Sequence, residues 1–63
     1  MNATINGNSL MLGELIAARA IANFRGEYRW ISSIERARAS KRTDYPTALA
    51  ALQAAAKSLR LTI

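Results

Sequence analysis

The fold class of this 63-residue chain depends on residues 10–39, LMLGELIAARAIANFRGEYRWISSIERARA. The segment is rich in Leu, Ala, Glu and Arg, which are strong helix formers. Within it, apolar residues recur at spacings of four, three, four, three and three, which is typical of one face of a helix. These residues are Ala17, Ile21, Phe24, Tyr28, Ile31 and Ile34. The pattern predicts one long amphipathic helix over residues 10–39.

Gly26 lies inside this segment and offers an alternative. Glycine costs about 1 kcal/mol relative to alanine in a helix interior, so an Arg-Gly-Glu turn would divide the segment into two shorter helices. The apolar phase continues unchanged across Gly26, whereas a turn would normally reset it. We therefore favour one continuous helix, and its apolar face is wider than one neighbouring helix would cover.

A second helix is predicted over residues 44–60. Asp44 is a suitable N-cap, and Pro46 lies in the first turn, where its missing N–H is not needed. Apolar residues then recur at spacings of four, three, four and three, and they are Tyr45, Leu49, Leu52, Ala56 and Leu59. Flanking alanines would let another helix approach closely. This seam either contacts a second copy of the chain or packs on the first helix, where the candidate partners are Ile21, Phe24 and Tyr28.

Residues 1–9, MNATINGNS, allow one short strand that Asn6 and Gly7 would end. The segment either frays as a terminus or pairs with its symmetry mate across a two-fold axis. A domain of about 60 residues buries only about 60% of its unfolded surface, and no Cys or His is present to add a disulfide or a metal. The sequence therefore predicts a mainly α fold in a single helical dimerisation domain, residues 1–63, stabilised as an intertwined homodimer.

The composition argues against catalysis. The chain has no Cys and no His, and its four acidic residues are scattered, so no nucleophile–base pair, metal site or cofactor site is expected. No charge-free run approaches the roughly 20 residues that a membrane-spanning helix needs. Residues 1–9 also lack the features of a signal peptide. We expect a non-enzymatic cytoplasmic protein without cofactors or membrane contact.

Two features predict binding. The net charge is +5, and a basic run offers candidate phosphate contacts at Arg36, Arg38, Lys41 and Arg42, although such a run also suits a solvated helix face. Separately, Phe24, Trp30 and Ile31 are candidates for the wall of an apolar groove that accepts an amphipathic helix, with a core role as the alternative for Trp30. Protein binding through the groove of a helical dimer is the favoured function.

The alternative function is a small DNA-binding regulator of the ribbon-helix-helix type. In that architecture Asn2, Thr4 and Asn6 would read bases from a two-stranded ribbon. The predicted ribbon carries no Lys or Arg, the first predicted helix is too long, and residues 44–60 would form an unexplained third helix. Nucleic-acid binding is therefore ranked second.

A family resemblance adds to these expectations. The stretch AIANFRGEYRWISSIERARASKRTDYPTALAALQAAA, residues 20–56, and the opening TINGN, residues 4–8, resemble the small early protein encoded between the exonuclease and excisionase genes of lambda-type temperate phages, including Shiga-toxin phages. The resemblance implies an intertwined dimer with two helices and one strand per chain. It also implies an early viral protein that acts in the host cytoplasm on a host or phage protein and favours lytic development.

Overall fold

The protein folds as an antiparallel sheet with one helix packed on one face. The structure is a computed structural model that describes residues 2–34 and 38–63. The strands follow one another across the sheet in chain order, and they are β1 (Thr4–Asn6), β2 (Ser9–Leu12), β3 (Leu15–Ala22) and β4 (Tyr28–Ser32). The helix, α1, spans Ala48–Ser58. The described residues thus form a four-stranded meander followed by one helix.

The prediction of a mainly α fold with a helix over residues 10–39 is wrong, because β2, β3 and β4 occupy most of that segment. Gly13 and Gly26 both have positive φ, +61° and +77°. This left-handed conformation suits glycine and the chain reversals between antiparallel strands, and it does not continue a helix. Helix propensity is a weak local preference, and pairing between strands overrides it here.

The apolar residues assigned to one helix face are divided between the two faces of the sheet. Ala17 is fully buried and Tyr28 packs against the core, whereas Ile21 is 40% exposed. From Ala18 to Ile21 of β3, buried and exposed residues alternate, as they do in a sheet with one covered face. The apolar residues that recur at spacings of three and four therefore lie on two different surfaces of the folded chain.

The core lies between the sheet and α1, and it is built largely from alanine. From the sheet side, Leu10 and Trp30 are the large buried residues, and Trp30 is 4% exposed. From the helix side, Leu52 is fully buried. The small residues around them allow the helix to pack closely on the sheet, and they are Ala3, Ala17, Ala18, Ala20, Ala51, Ala55 and Ala56. Close packing of this kind makes each large side chain important for stability.

A β-bulge shapes the middle of the sheet. Leu10 pairs with Ala18, but the next residue of β2, Met11, pairs with Ile16. Ala17 therefore has no partner on β2 in this register. Ala17 and Ala18 are both fully buried. The bulge thus places two successive small residues in the core and increases the local twist of the sheet.

Both edges of the sheet are partly paired by irregular segments. At the β1 edge, the Ala3 N–H donates to the carbonyl of Thr62 at 2.6 Å. At the β4 edge, the segment 38–45 runs alongside, and Tyr28 and Tyr45 exchange two backbone hydrogen bonds of 2.9 and 3.0 Å. These contacts satisfy backbone groups that an open edge would leave available for aggregation. β1 itself pairs with β2 of its own chain.

The helix α1 is shorter than the predicted span 44–60. Its N-cap is Thr47, whose hydroxyl accepts a hydrogen bond from the Ala50 N–H at 3.0 Å. Asp44 is therefore not the cap, and Pro46 precedes the cap instead of lying in the first turn. Thr47 is itself a good capping residue, so the local sequence allowed either position.

The apolar residues of the seam predicted along the second helix lie mainly in the core that α1 forms with the sheet of the same chain. Leu52, Ala56 and Leu59 are buried and pack with the sheet, and Tyr45 packs at the edge of that core. Leu49 is 52% exposed. The predicted packing of α1 on a first helix is wrong, because α1 packs against β3 and β4 of the sheet.

Candidate nucleic-acid interface

The face of the sheet opposite α1 carries a checkerboard of arginine and isoleucine. Arg19 of β3 pairs with Ile31 of β4, and Ile21 of β3 pairs with Arg29 of β4. These four positions alternate with Ala18, Ala20 and Trp30, which are buried beneath the helix. We call Arg19, Ile21, Arg29 and Ile31 the outer sheet face. The register places the two arginines on one diagonal and the two isoleucines on the other.

The arginines of the outer sheet face have no acidic partner among the described residues. Neither β3 nor β4 contains an Asp or a Glu. The salt bridge formed within residues 2–34 and 38–63 joins Arg42 to Asp44, at the β4 edge. Arg19 and Arg29 are both exposed, and diagonal neighbours in a sheet lie about 7–8 Å apart at the backbone. Two positive charges at this separation, without an acidic partner among the described residues, create a local positive potential.

The turn between β3 and β4 is built around Asn23. Its side-chain oxygen accepts hydrogen bonds from the backbone N–H groups of Arg25 and Glu27, at 2.8 and 3.1 Å. Its backbone N–H donates to the Glu27 carbonyl at 2.8 Å, and its carbonyl accepts from the Gly26 N–H at 3.1 Å. Its side-chain amide donates to the Thr43 carbonyl at 3.3 Å. One asparagine thus holds the turn and attaches it to the segment 38–45.

Phe24 stands at the tip of this turn and is 93% exposed. The Arg25 guanidinium lies 5.4 Å from the centre of its ring. A depression of about 450 Å³ connects the tip to the outer sheet face, and it is lined by Ile21, Ala22, Asn23, Phe24, Arg29 and Thr43. The exposed Phe24 ring and the outer sheet face are therefore parts of one continuous surface.

A second basic surface lies on the helix side of β4. Arg38, Lys41 and Arg42, three of the candidate phosphate contacts, line a cleft of about 550 Å³ together with Trp30, Tyr45 and Ser58. The fourth candidate, Arg36, lies outside the described residues. We call this surface the helix-side cleft.

Two guanidinium groups of the helix-side cleft already have protein partners. Arg38 donates to the carbonyl and hydroxyl oxygens of Ser58 at 3.1 and 3.3 Å. Arg42 lies 4.5 Å from the centre of the Tyr45 ring and pairs with Asp44. The hydrogen bond from the Arg42 guanidinium to Asp44 lowers the pKa of the Asp44 carboxyl and raises the pKa of Arg42. The cleft is therefore less available to an external phosphate than the outer sheet face.

Of the three residues proposed for an apolar partner groove, Trp30 lies apart from Phe24 and Ile31. Phe24 is at the tip of the β3–β4 turn, Trp30 is buried beneath α1, and Ile31 lies on the outer sheet face. Arg19, Arg25 and Arg29 were not predicted as a group from the sequence. The available signal was the two-residue alternation Arg-x-Ile in both strands, residues 19–21 and 29–31, with small or aromatic residues between.

Comparison with known proteins gives no relative for this chain: no family model, curated protein or solved structure matches it. The phage role expected from the resemblance has no support from these comparisons, and the helical fold that it implies is wrong. The ribbon-helix-helix architecture is also wrong, because β2, β3 and β4 occupy most of residues 10–32, where its first helix would lie. In the part of the chain that the structure describes, no helix is long and apolar enough to cross a membrane.

Proposed function

We propose that this protein is a non-enzymatic nucleic-acid-binding domain that uses the outer sheet face. The observation that carries the proposal is the diagonal pair Arg19 and Arg29, which is exposed and has no acidic partner among the described residues. Sheets do bind nucleic acids through exposed strands. The net charge of +5 adds a favourable long-range attraction to a polyanion. The proposal places the protein in the cytoplasm, where it meets nucleic acid.

The two kinds of side chain on this face have different roles. Arg19 and Arg29 neutralise backbone phosphates and release counterions. Ile21 and Ile31 provide apolar contact with sugars and bases between the two charges. These contacts carry little sequence information, since phosphate contacts position a protein and base-edge contacts specify a sequence. We therefore propose binding with weak sequence preference.

The test is a salt titration of binding by fluorescence anisotropy. The probes are labelled 20-nucleotide oligomers of random sequence, both single-stranded and duplex, at 50 and 200 mM salt. The wild-type affinity is expected to fall with a log–log slope of about −0.7 to −0.9 per neutralised phosphate. Arg19→Gln and Arg29→Gln should each weaken binding and reduce the slope by about one.

A charge-matched control separates a defined site from general electrostatic attraction. Lys57 and Arg60 are exposed and lie at the end of α1, away from the outer sheet face. The double variant Lys57→Gln with Arg60→Gln should retain most of the binding that Arg19→Gln with Arg29→Gln loses. Equal losses in the two double variants would reject the outer sheet face, and no binding by the wild type at 50 mM salt would reject the function.

Self-association is the second candidate, because the same side of the sheet has an apolar component. Met11 pairs with Ile16 next to the outer sheet face, and Ile21 of that face is 40% exposed. A face-to-face homodimer would bury these side chains but would also bury Arg19 and Arg29 without acidic partners, which is unfavourable. Sedimentation equilibrium at micromolar concentration shows whether the protein forms such a dimer. A dimer that Ile21→Lys disrupts would favour this candidate over nucleic-acid binding.

A further inference from the structure

Phe24 is the most exposed large apolar residue of the described chain, and nothing in the fold accounts for its position. It is 93% exposed, whereas the next most exposed, Ile63, is 58% exposed. A frayed loop would be one explanation for an exposed phenylalanine. The hydrogen bonds around Asn23 argue against it, since they fix the backbone on both sides of the ring. The ring is thus presented to solvent by an ordered turn.

The surroundings of the ring indicate the chemistry of its partner. Arg25 lies over the ring, and Arg29 lines the same depression. These cations favour a partner that carries negative charge. An aromatic ring with one face beneath a guanidinium has its second face left for another planar group. A planar group attached to a negatively charged backbone is a nucleotide in a nucleic-acid strand.

We infer that Phe24 stacks on an unpaired base of a single strand bound along the outer sheet face. The inference rests on the proposed function and adds its preferred substrate. Stacking on an aromatic side chain tolerates any base, because every base has a π face. An unpaired base is also cheaper to engage than a paired one, since insertion into a duplex must first unstack a base step. Single strands should therefore bind more tightly than duplexes of the same length.

The experiment uses an oligonucleotide that contains 2-aminopurine, whose fluorescence is quenched by stacking. Wild-type protein should change this fluorescence on binding, and Phe24→Trp should retain the change. Phe24→Leu keeps an apolar side chain but cannot stack, and Phe24→Ala removes both properties. Both are expected to lose the fluorescence change and to weaken single-strand binding about tenfold, which corresponds to one base-stacking contact. Circular dichroism should show unchanged folding, because the side chain is exposed.

The salt slope distinguishes this inference from the function on which it rests. Phe24→Leu should leave the slope unchanged, whereas Arg19→Gln with Arg29→Gln should reduce the slope and retain the fluorescence change at saturation. Salt-dependent binding by wild type without any fluorescence change would overturn the stacking role alone. Wild-type affinity in Phe24→Leu would also overturn it. Binding to vesicles of equal phosphatidylglycerol and phosphatidylcholine that depends on Phe24, without effect on oligonucleotides, would assign the ring to a membrane surface instead.

Discussion

Ser40 and Trp30 are joined by two hydrogen bonds across the edge of the sheet. The Ser40 backbone N–H donates to the Trp30 carbonyl at 2.9 Å, and the Ser40 hydroxyl accepts from the Trp30 backbone N–H at 3.1 Å. The Ser40 hydroxyl thus takes the place of a backbone carbonyl from a neighbouring strand as the acceptor for the Trp30 N–H of β4. Because the Trp30 side chain fills the core beneath α1, this pair connects the edge segment 38–45 to the packing of the whole domain.

Removing the Ser40 hydroxyl should destabilise the protein. Ser40→Ala leaves the Trp30 N–H without its acceptor in a partly buried position, which costs about 1–3 kcal/mol. Ser40→Thr keeps a hydroxyl and should lose much less. Urea unfolding followed by the fluorescence of Trp30, the one tryptophan in the chain, measures both variants. Equal stability of Ser40→Ala and wild type would show that water replaces the hydroxyl.

Leu52 and Leu49 provide a matched pair on α1. Leu52 is fully buried and Leu49 is 52% exposed. Leu52→Ala should destabilise the domain by about 2–5 kcal/mol through lost burial and a cavity, which is enough to unfold a domain of this size. Leu49→Ala should change stability by less than about 0.5 kcal/mol. If thermal unfolding showed the larger loss for Leu49→Ala, then Leu49 would belong to an interface between copies.

Arg60 follows Leu59, the C-cap of α1, and has a left-handed conformation with φ of +58°. This conformation costs a residue with a Cβ roughly 1–2 kcal/mol, and glycine avoids the cost. Arg60→Gly should therefore stabilise the protein and raise its melting temperature by about 4–8 °C for each kcal/mol gained. Arg60→Ala removes the same charge but keeps the Cβ, so it should give no such increase. A similar increase in both variants would mean that the charge, not the backbone, caused the effect.

The Arg42–Asp44 pair predicts a small dependence of stability on acid. The hydrogen bond from Arg42 lowers the pKa of Asp44 below its ordinary value of 3.8. A lowered folded-state pKa means that the stabilisation is complete above the unfolded pKa and is lost as the pH falls through the folded pKa. Asp44→Asn should therefore reduce the loss of stability below about pH 4. Urea unfolding at pH 7 and at pH 2–4 checks this, and an unchanged acid profile in the variant would contradict it.

The sequence alone established several properties through composition and local pattern. The absence of Cys and His and the net charge of +5 are read directly from the sequence, and the prediction of binding instead of catalysis follows from them but stays a prediction. The apolar residues that recur at spacings of three and four after Thr47 specify α1, since helical periodicity is a local effect. The burial of Leu52 and Ala56 follows from that same periodicity. The start of the helix was misplaced because Asp44 and Pro46 also resemble a helix start.

Tertiary structure determined the conformation of the first half of the chain and brought the residues of the candidate site together. Residues of β3 have high helix propensity, and their conformation is set by pairing with β2 and β4, which lie at other places in the sequence. Arg19 and Arg29 become neighbours only through that pairing, with the turn at Gly26 between them. On a continuous helix they would belong to a general polar face, with no reason to single them out. Local preferences sum along the chain, but strand pairing depends on distant residues, so the sheet and its outer face required the folded structure.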